Sequence, residues 1–116
     1  LSQMGSRICL MTYHSPNLKL YGVRRAEKLF KFMEIIRDIV KSKETYLIDT
    51  LPVWEALRKN YPLIHKSMLL DEIHLNRLGN LFLGIIITKD LGLTLVQKDE
   101  KYWARAQKIY NLVHKG

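Results

Sequence analysis

Two short apolar runs either side of one long amphipathic segment constrain this chain more than any other feature. Arg7 to Tyr13 (RICLMTY) mixes β-branched, aromatic and aliphatic residues, and His14-Ser15-Pro16-Asn17 follows it. Such a run reads as a strand buried on both faces that leaves through a Pro-containing turn. From Ala26 to Lys43 the period changes. Leu29, Phe32, Met33, Ile36, Ile39 and Val40 recur at helical spacing, with Lys28, Lys31, Glu34, Arg37, Asp38 and Lys41 mostly opposite. That pattern predicts an amphipathic helix of about four to five turns. Thr45 to Asp49 (TYLID) is β-rich again. Strand, helix and strand at these lengths make a βαβ unit, so the strands are expected to be parallel and joined by a right-handed crossover.

The remaining segments are mainly helical. Lys19 to Arg25 is polar, contains Gly22 and reads as a loop. Pro52 near the start of VWEALRKN suits the first turn of a short helix, with Thr50 or Leu51 ahead of it. Asn60-Tyr61-Pro62 ends that helix, and Leu63 to Leu70 has no clear period and reads as a loop. Asn76 is a good N-cap for a helix running to about Leu91, with Leu78, Leu81, Phe82, Ile85 and Ile86 on its apolar face. Gly79 and Gly84 each cost that helix up to about 1 kcal/mol relative to Ala, for which close packing on a sheet is the expected compensation. Gly92 stops it. Asp99 to His114 predicts a last helix with Tyr102, Trp103, Ala106, Ile109, Tyr110 and Val113 on its apolar side, and its end charges suit the macrodipole. Two parallel strands leave two edges and too little apolar cover, so further strands are expected from outside this segment.

Composition narrows the function classes. An apolar share of 47% with 26% charged residues is that of a globular domain, and 116 residues fit one. The net charge of +8 permits attraction to polyanions. The basic residues are interspersed with acidic ones and form no run of five or six, however, so solvated helix faces are the simpler reading and nucleic acid is an unfavoured partner. Cys9 is the only cysteine, which excludes an intrachain disulfide and a cysteine-rich zinc site. In its apolar run it is expected to be a small buried hydrophobe. The longest apolar segment, around Leu81 to Ile87, is far short of the roughly 18 residues of a membrane span. Leu1 to Ser6 has neither a basic n-region nor an apolar h-region, so no secretory signal is expected there, and localisation stays open.

The chemistry-bearing stretch is Asp71-Glu72-Ile73-His74, immediately before the Asn76 cap. A carboxylate three residues ahead of an imidazole can meet it across one turn. Asp71 would accept from one ring nitrogen while His74 removes a proton through the other. The simpler alternative is that Asp71 caps a turn and His74 sits half-buried at a helix start. Open α/β sheets collect such groups beyond the carboxyl ends of their strands, which a loop after the second strand can reach. His14, after the first strand, is a candidate for lining a substrate pocket, with a turn histidine of no catalytic role the simpler reading. Asp49 is expected to cap the following loop or the Pro52 helix. His65 and His114 have no partner spacing, and Trp54, Tyr102 and Trp103 read as packing residues. Asp71, His74 and His14 match no strong zinc pattern, so no metal site is assigned.

The run DEIHLNRLGN resembles the last conserved block of the SGNH (GDSL-type) hydrolases, where Asp-x-x-His is followed by Leu-Asn and then Gly. RICLMTYHSP looks like that family's fourth strand and its exit, AEKLFKFMEIIRDIVKSK like the next helix, and TYLIDTLPVWEAL like the fifth strand and the helix after it. The resemblance spans Arg7 to Leu93 within a single segment, 1–116. It implies the C-terminal portion of a flavodoxin-like three-layer α/β fold with a parallel sheet, helix-rich, plus an extra helix at 99–115. By that resemblance Asp71 and His74 are triad members of a serine esterase or acylhydrolase, and no cofactor is implied. The family's Gly-Asp-Ser block and its later oxyanion Gly and Asn blocks are missing here. Gly5-Ser6 lacks the intervening Asp and follows no first strand, so Ser6 is not assigned as nucleophile, and Asn17 and Asn60 are in the wrong context for the oxyanion Asn. The nucleophile is therefore expected from outside this chain, either the remainder of the same protein or a partner chain that also completes the sheet, acting on a small ester. A non-catalytic structural or interaction subunit derived from such a fold is the alternative expectation. Lipid ester, acetylated sugar and thioester substrates all stay open.

Overall fold

A computed structural model describes residues 8–42, 45–93 and 101–115. Strands β1 (Cys9–Met11) and β2 (Tyr46–Ile48) pair in parallel, with Cys9 opposite Tyr46 and Met11 opposite Ile48. The connection between them carries a one-turn helix, α1 (Leu18–Tyr21), and a long one, α2 (Val23–Ser42), which packs on both strands. The parallel pair expected from the strand–helix–strand order is present. The fold is a helix-rich α/β arrangement with a small sheet.

The Lys19–Arg25 stretch is not a loop. Asn17 Oδ1 accepts from the backbone N–H of Lys19 at 3.1 Å and of Leu20 at 3.4 Å, which starts α1. Gly22, at φ +93°, then turns the chain into α2 at Val23, three residues before the first helical position the periodicity marks.

Strand β1 is not buried on both faces. Cys9 and Met11 are exposed, and Cys9 is accordingly not the buried hydrophobe expected. The apolar stripe of α2 is also only partly used: Ala26 and Met33 are buried, while Phe32 (58%), Ile35 (54%) and Ile39 (42%) remain open to solvent. Length explains the second departure. A 20-residue helix is about 30 Å long, whereas three-residue strands reach only about 10 Å. Most of the helix face has no sheet to lie on.

Pro52 falls in the first turn of α3 (Leu51–Asn60), as its fixed φ favours. Thr50 precedes it without capping, because its hydroxyl donates to the Thr12 carbonyl instead (2.9 Å). Pro62 cannot continue α3, but it is preorganised to start another helix, and α4 (Pro62–Ser67) occupies the stretch expected as loop. The main core then forms between helices. Trp54 and Leu57 of α3 meet Leu78, Phe82, Ile85 and Ile86 of α5 (Arg77–Asp90), and Ala106 and Ile109 of α6 (Lys101–Lys115) close the cluster. Trp54 packs edge-on to Phe82 with ring centroids 5.0 Å apart. The expected apolar faces of α5 and α6 are the ones that pack, although Asp99 and Glu100 lie outside the described residues. Gly92, at φ +69°, follows the last turn of α5.

The two α5 glycines differ from expectation and from each other. A Cβ on Gly79 would stand 2.5 Å from the Met68 carbonyl oxygen, so its close contact is with a loop and not with a sheet. A Cβ on Gly84 would meet nothing within 4 Å. Urea denaturation should therefore show Gly79→Ala destabilised by about 1–3 kcal/mol through forced displacement. Gly84→Ala should be stabilised by about 0.5–1 kcal/mol through helix propensity. Equal shifts in both variants would contradict this packing.

Candidate active site

Residues 68–76 close on themselves before α5 begins. Asn76 N–H donates to the Met68 carbonyl (2.9 Å), Leu70 N–H donates to the His74 carbonyl (2.7 Å), and Leu69 pairs with Leu75 in an antiparallel bridge. Asn76 Oδ1 accepts from Gly79 N–H at 3.0 Å, the N-cap expected of it. At the tip, Asp71 divides its carboxylate between two tasks. Oδ1 accepts the backbone N–H of Ile73 (2.9 Å) and of His74 (2.7 Å), while Oδ2 accepts from His74 Nδ1–H at 2.8 Å. Turn capping and imidazole pairing are thus compatible, because each uses its own oxygen.

These bonds set the electrostatics. Donation from the His74 and Ile73 amides, and then from the imidazole, holds the Asp71 carboxyl down at about 2. Asp71 is therefore a carboxylate at any working pH. Pairing at Nδ1 places the imidazole proton there and leaves the Nε2 lone pair available as a base. Nε2 has no hydrogen-bond partner among the described residues. The side chains are 70% exposed for His74 and 51% for Asp71, so His74 is not half-buried.

The turn is fastened to the exit of β1. Asn17 N–H donates to the Glu72 carbonyl (2.9 Å), His14 Nε2–H to the Ile73 carbonyl, and Arg25 pairs with the Glu72 carboxylate (3.2 Å). The dyad consequently stands beyond the carboxyl end of that strand, where such sites gather. A cavity of about 390 Å³ opens beside it. Its wall includes Met11, Tyr13, Leu70, Leu75 and Leu83, with His74 and His14 on the same wall. His14 is buried, and its Nε2 is committed to the Ile73 carbonyl.

The threonine hydroxyls at this cavity are engaged elsewhere. Thr12 Oγ1 donates to Asp49 (2.8 Å) and accepts from Leu51 N–H (3.1 Å), and the Thr50 hydroxyl donates to the Thr12 carbonyl. Ser15 donates to Glu55 (2.6 Å), Ser42 to the Ile39 carbonyl and Ser67 to the Ile64 carbonyl. Among the described residues no hydroxyl is hydrogen-bonded to His74 Nε2, and the Tyr13 phenol lines the same cavity. Asp49 caps neither the loop nor α3. It receives Thr12 and a two-pronged grip from Arg37, with Nε to Oδ2 at 3.0 Å and Nη2 to Oδ1 at 3.1 Å, which ties α2 to the end of β2. Periodicity offered no signal for this pair, because it joins a helix face to a strand end. Asn80 and Tyr13 at the cavity were also not anticipated.

Elsewhere, His65 is buried and donates from Nε2 to the Ser15 carbonyl (2.8 Å), and His114 Nδ1–H donates to the Tyr110 carbonyl (2.9 Å). Trp54 is a packing residue, as expected. Among the described residues no three His, Cys, Asp or Glu side chains gather as metal ligands, and no helix is long and apolar enough to cross a membrane. No protein-family profile, curated protein or solved structure matches the chain.

Burial lowers the basicity of His14 and His65 below that of a free imidazole, outweighing their bonds to backbone carbonyls. The unfolded chain would bind protons at about pH 6.5, where the folded chain still resists them. Stability should therefore be level above about pH 7 and fall as pH drops below 6.5. Urea midpoints at pH 7.5 and pH 5.5 measure this. A midpoint that holds or rises at pH 5.5 would contradict the burial of neutral imidazoles.

Proposed function

We propose that this chain is the C-terminal portion of an SGNH-like serine esterase or acylhydrolase, with its nucleophilic serine supplied by sequence outside residues 1–116. The observation that carries the reading is the Asp71 Oδ2 to His74 Nδ1 bond of 2.8 Å, at a turn beyond a strand's carboxyl end and beside an apolar cavity. The resemblance of DEIHLNRLGN to the family's last block supports it independently. Among the described residues the sheet has only two strands, and its open edge and the exposed Cys9–Met11 side of β1 suit a sheet that the remainder of the protein, or a partner chain, completes. Basic side chains mixed with acidic ones give nucleic acid no such support.

In this mechanism the serine hydroxyl attacks the ester carbonyl carbon as His74 Nε2 takes its proton. Asp71 stabilises the imidazolium through Nδ1–H. Donors outside this chain stabilise the oxyanion. As the tetrahedral intermediate collapses, the carbon–oxygen bond to the alcohol breaks, and His74 returns the proton to the departing oxygen. Water then attacks the acyl-serine, His74 again takes the proton, and the acid leaves as the serine is reprotonated. The apolar cavity wall suits the carbon chain of an ester, and no cofactor is invoked.

A second reading, a non-catalytic interaction subunit, draws support from the exposed row of Phe32, Ile35 and Ile39 on α2. One assay separates the two. In protein carrying the upstream sequence, p-nitrophenyl acetate hydrolysis should fall by at least about a thousandfold in kcat/KM with His74→Ala. Undiminished hydrolysis in that variant would remove His74 from the mechanism. No hydrolysis in the unsubstituted protein would favour the interaction subunit.

A further inference from the structure

We infer that His14 is a positioning residue for the Asp71–His74 pair: with Asp71 it grips the two ends of the peptide unit that enters His74. The inference rests on the esterase reading for its purpose, but its geometry stands apart from it. His14 Nε2–H donates to the Ile73 carbonyl, and Asp71 Oδ1 accepts the His74 N–H at 2.7 Å. That carbonyl and that N–H belong to one peptide plane, which is rigid. Holding both of its ends fixes the plane's orientation, and with it the direction in which the His74 side chain leaves the backbone.

His14 is equipped for this in a way the other tethers are not. It is 6% exposed, its ring stacks on Tyr13 at 4.1 Å between centroids, and Trp54 stands 5.5 Å away on the core side. The Arg25–Glu72 pair reaches the same turn, but its side chains are 59% and 37% exposed, where an ion pair contributes little. Asn17 reaches Glu72 only through its backbone N–H. His14 is therefore the buried side chain that couples the core around Trp54 to the exposed turn. It also differs from Asp71 in where its rigidity comes from. Asp71 is held by the turn that it closes, while His14 is held by β1 and α3 and transmits their order across 59 positions of sequence. Because burial opposes a second proton on the ring, the neutral Nε2–H form is the one that meets the carbonyl.

The test uses this chain alone and no substrate. Nitrogen-resolved ring spectra should find His14 as the Nε2–H tautomer, and an Nδ1–H form would overturn the inference directly. Amide exchange of Ile73 and His74 should quicken by about tenfold or more in His14→Leu, with Phe82 and Ile85 unchanged. The His74 ring should at the same time lose part of its Nδ1–H signature. In His14→Gln, whose amide can donate to the same carbonyl, exchange at Ile73 and His74 should return to within about threefold of the original. Unchanged turn amides in the leucine variant, or no rescue by glutamine, would overturn it. If the leucine variant loses protection throughout, the glutamine variant decides: slow turn exchange supports the tether, and fast turn exchange with an intact core refutes it. An ordered turn in an inactive completed protein would instead count against the esterase reading alone.

Discussion

Strands of three residues govern the rest of this structure. So short a pair cannot supply a conventional sheet face for α2, and the exposed Phe32 and Ile39 follow from that. Stabilising burial moves to the helices instead. Trp54, Leu57, Phe82, Ile85 and Ala106 are almost wholly removed from water where α3, α5 and α6 meet. Each large side chain so buried contributes roughly 1.5–3 kcal/mol. The sheet's remaining task is to set direction. Its parallel strands deliver Thr12, His14, Asp49 and Thr50 to one end, where they bond to one another, to Arg37 and to the Ile73 carbonyl.

That end is where the chemistry is concentrated. A four-residue turn would be loosely held by itself, yet this one is pinned from inside by Asp71 and from outside by His14 and Asn17. The outcome is an imidazole with a fixed proton on Nδ1, an ionised carboxylate beneath it and an open Nε2. Preorganisation of this kind places the cost of ordering the pair in folding. The hydroxyls of Thr12, Thr50 and Ser15 are committed to structural bonds, and among the described residues none is hydrogen-bonded to the open Nε2 of the pair.

What was legible in the sequence is what is local. Asn76 caps α5, Pro52 starts α3, and Asp71 and His74 meet because their spacing spans one turn. Helical periodicity also marked the faces of α5 and α6 that pack together. The misses have a common cause in partners that are distant or missing. The period of α2 identified an apolar stripe but not how much sheet would be there to cover it. Leu63 to Ser67 has no period because its turn is organised from outside, by Pro62 at its start and by the Ser15 carbonyl held by His65. Arg37 and Asp49 are joined across a helix and a strand end, and His14 reaches a carbonyl 59 residues away. No short-range pattern encodes either.

The central claim is that Asp71 and His74 act on a serine that lies outside this chain. Labelling with a fluorophosphonate, followed by peptide mass spectrometry, tests it most directly when done on protein that includes the upstream sequence. The account predicts one modified serine outside residues 1–116, with modification lost in His74→Ala. A modified serine within residues 1–116, or labelling that persists without His74, would contradict it.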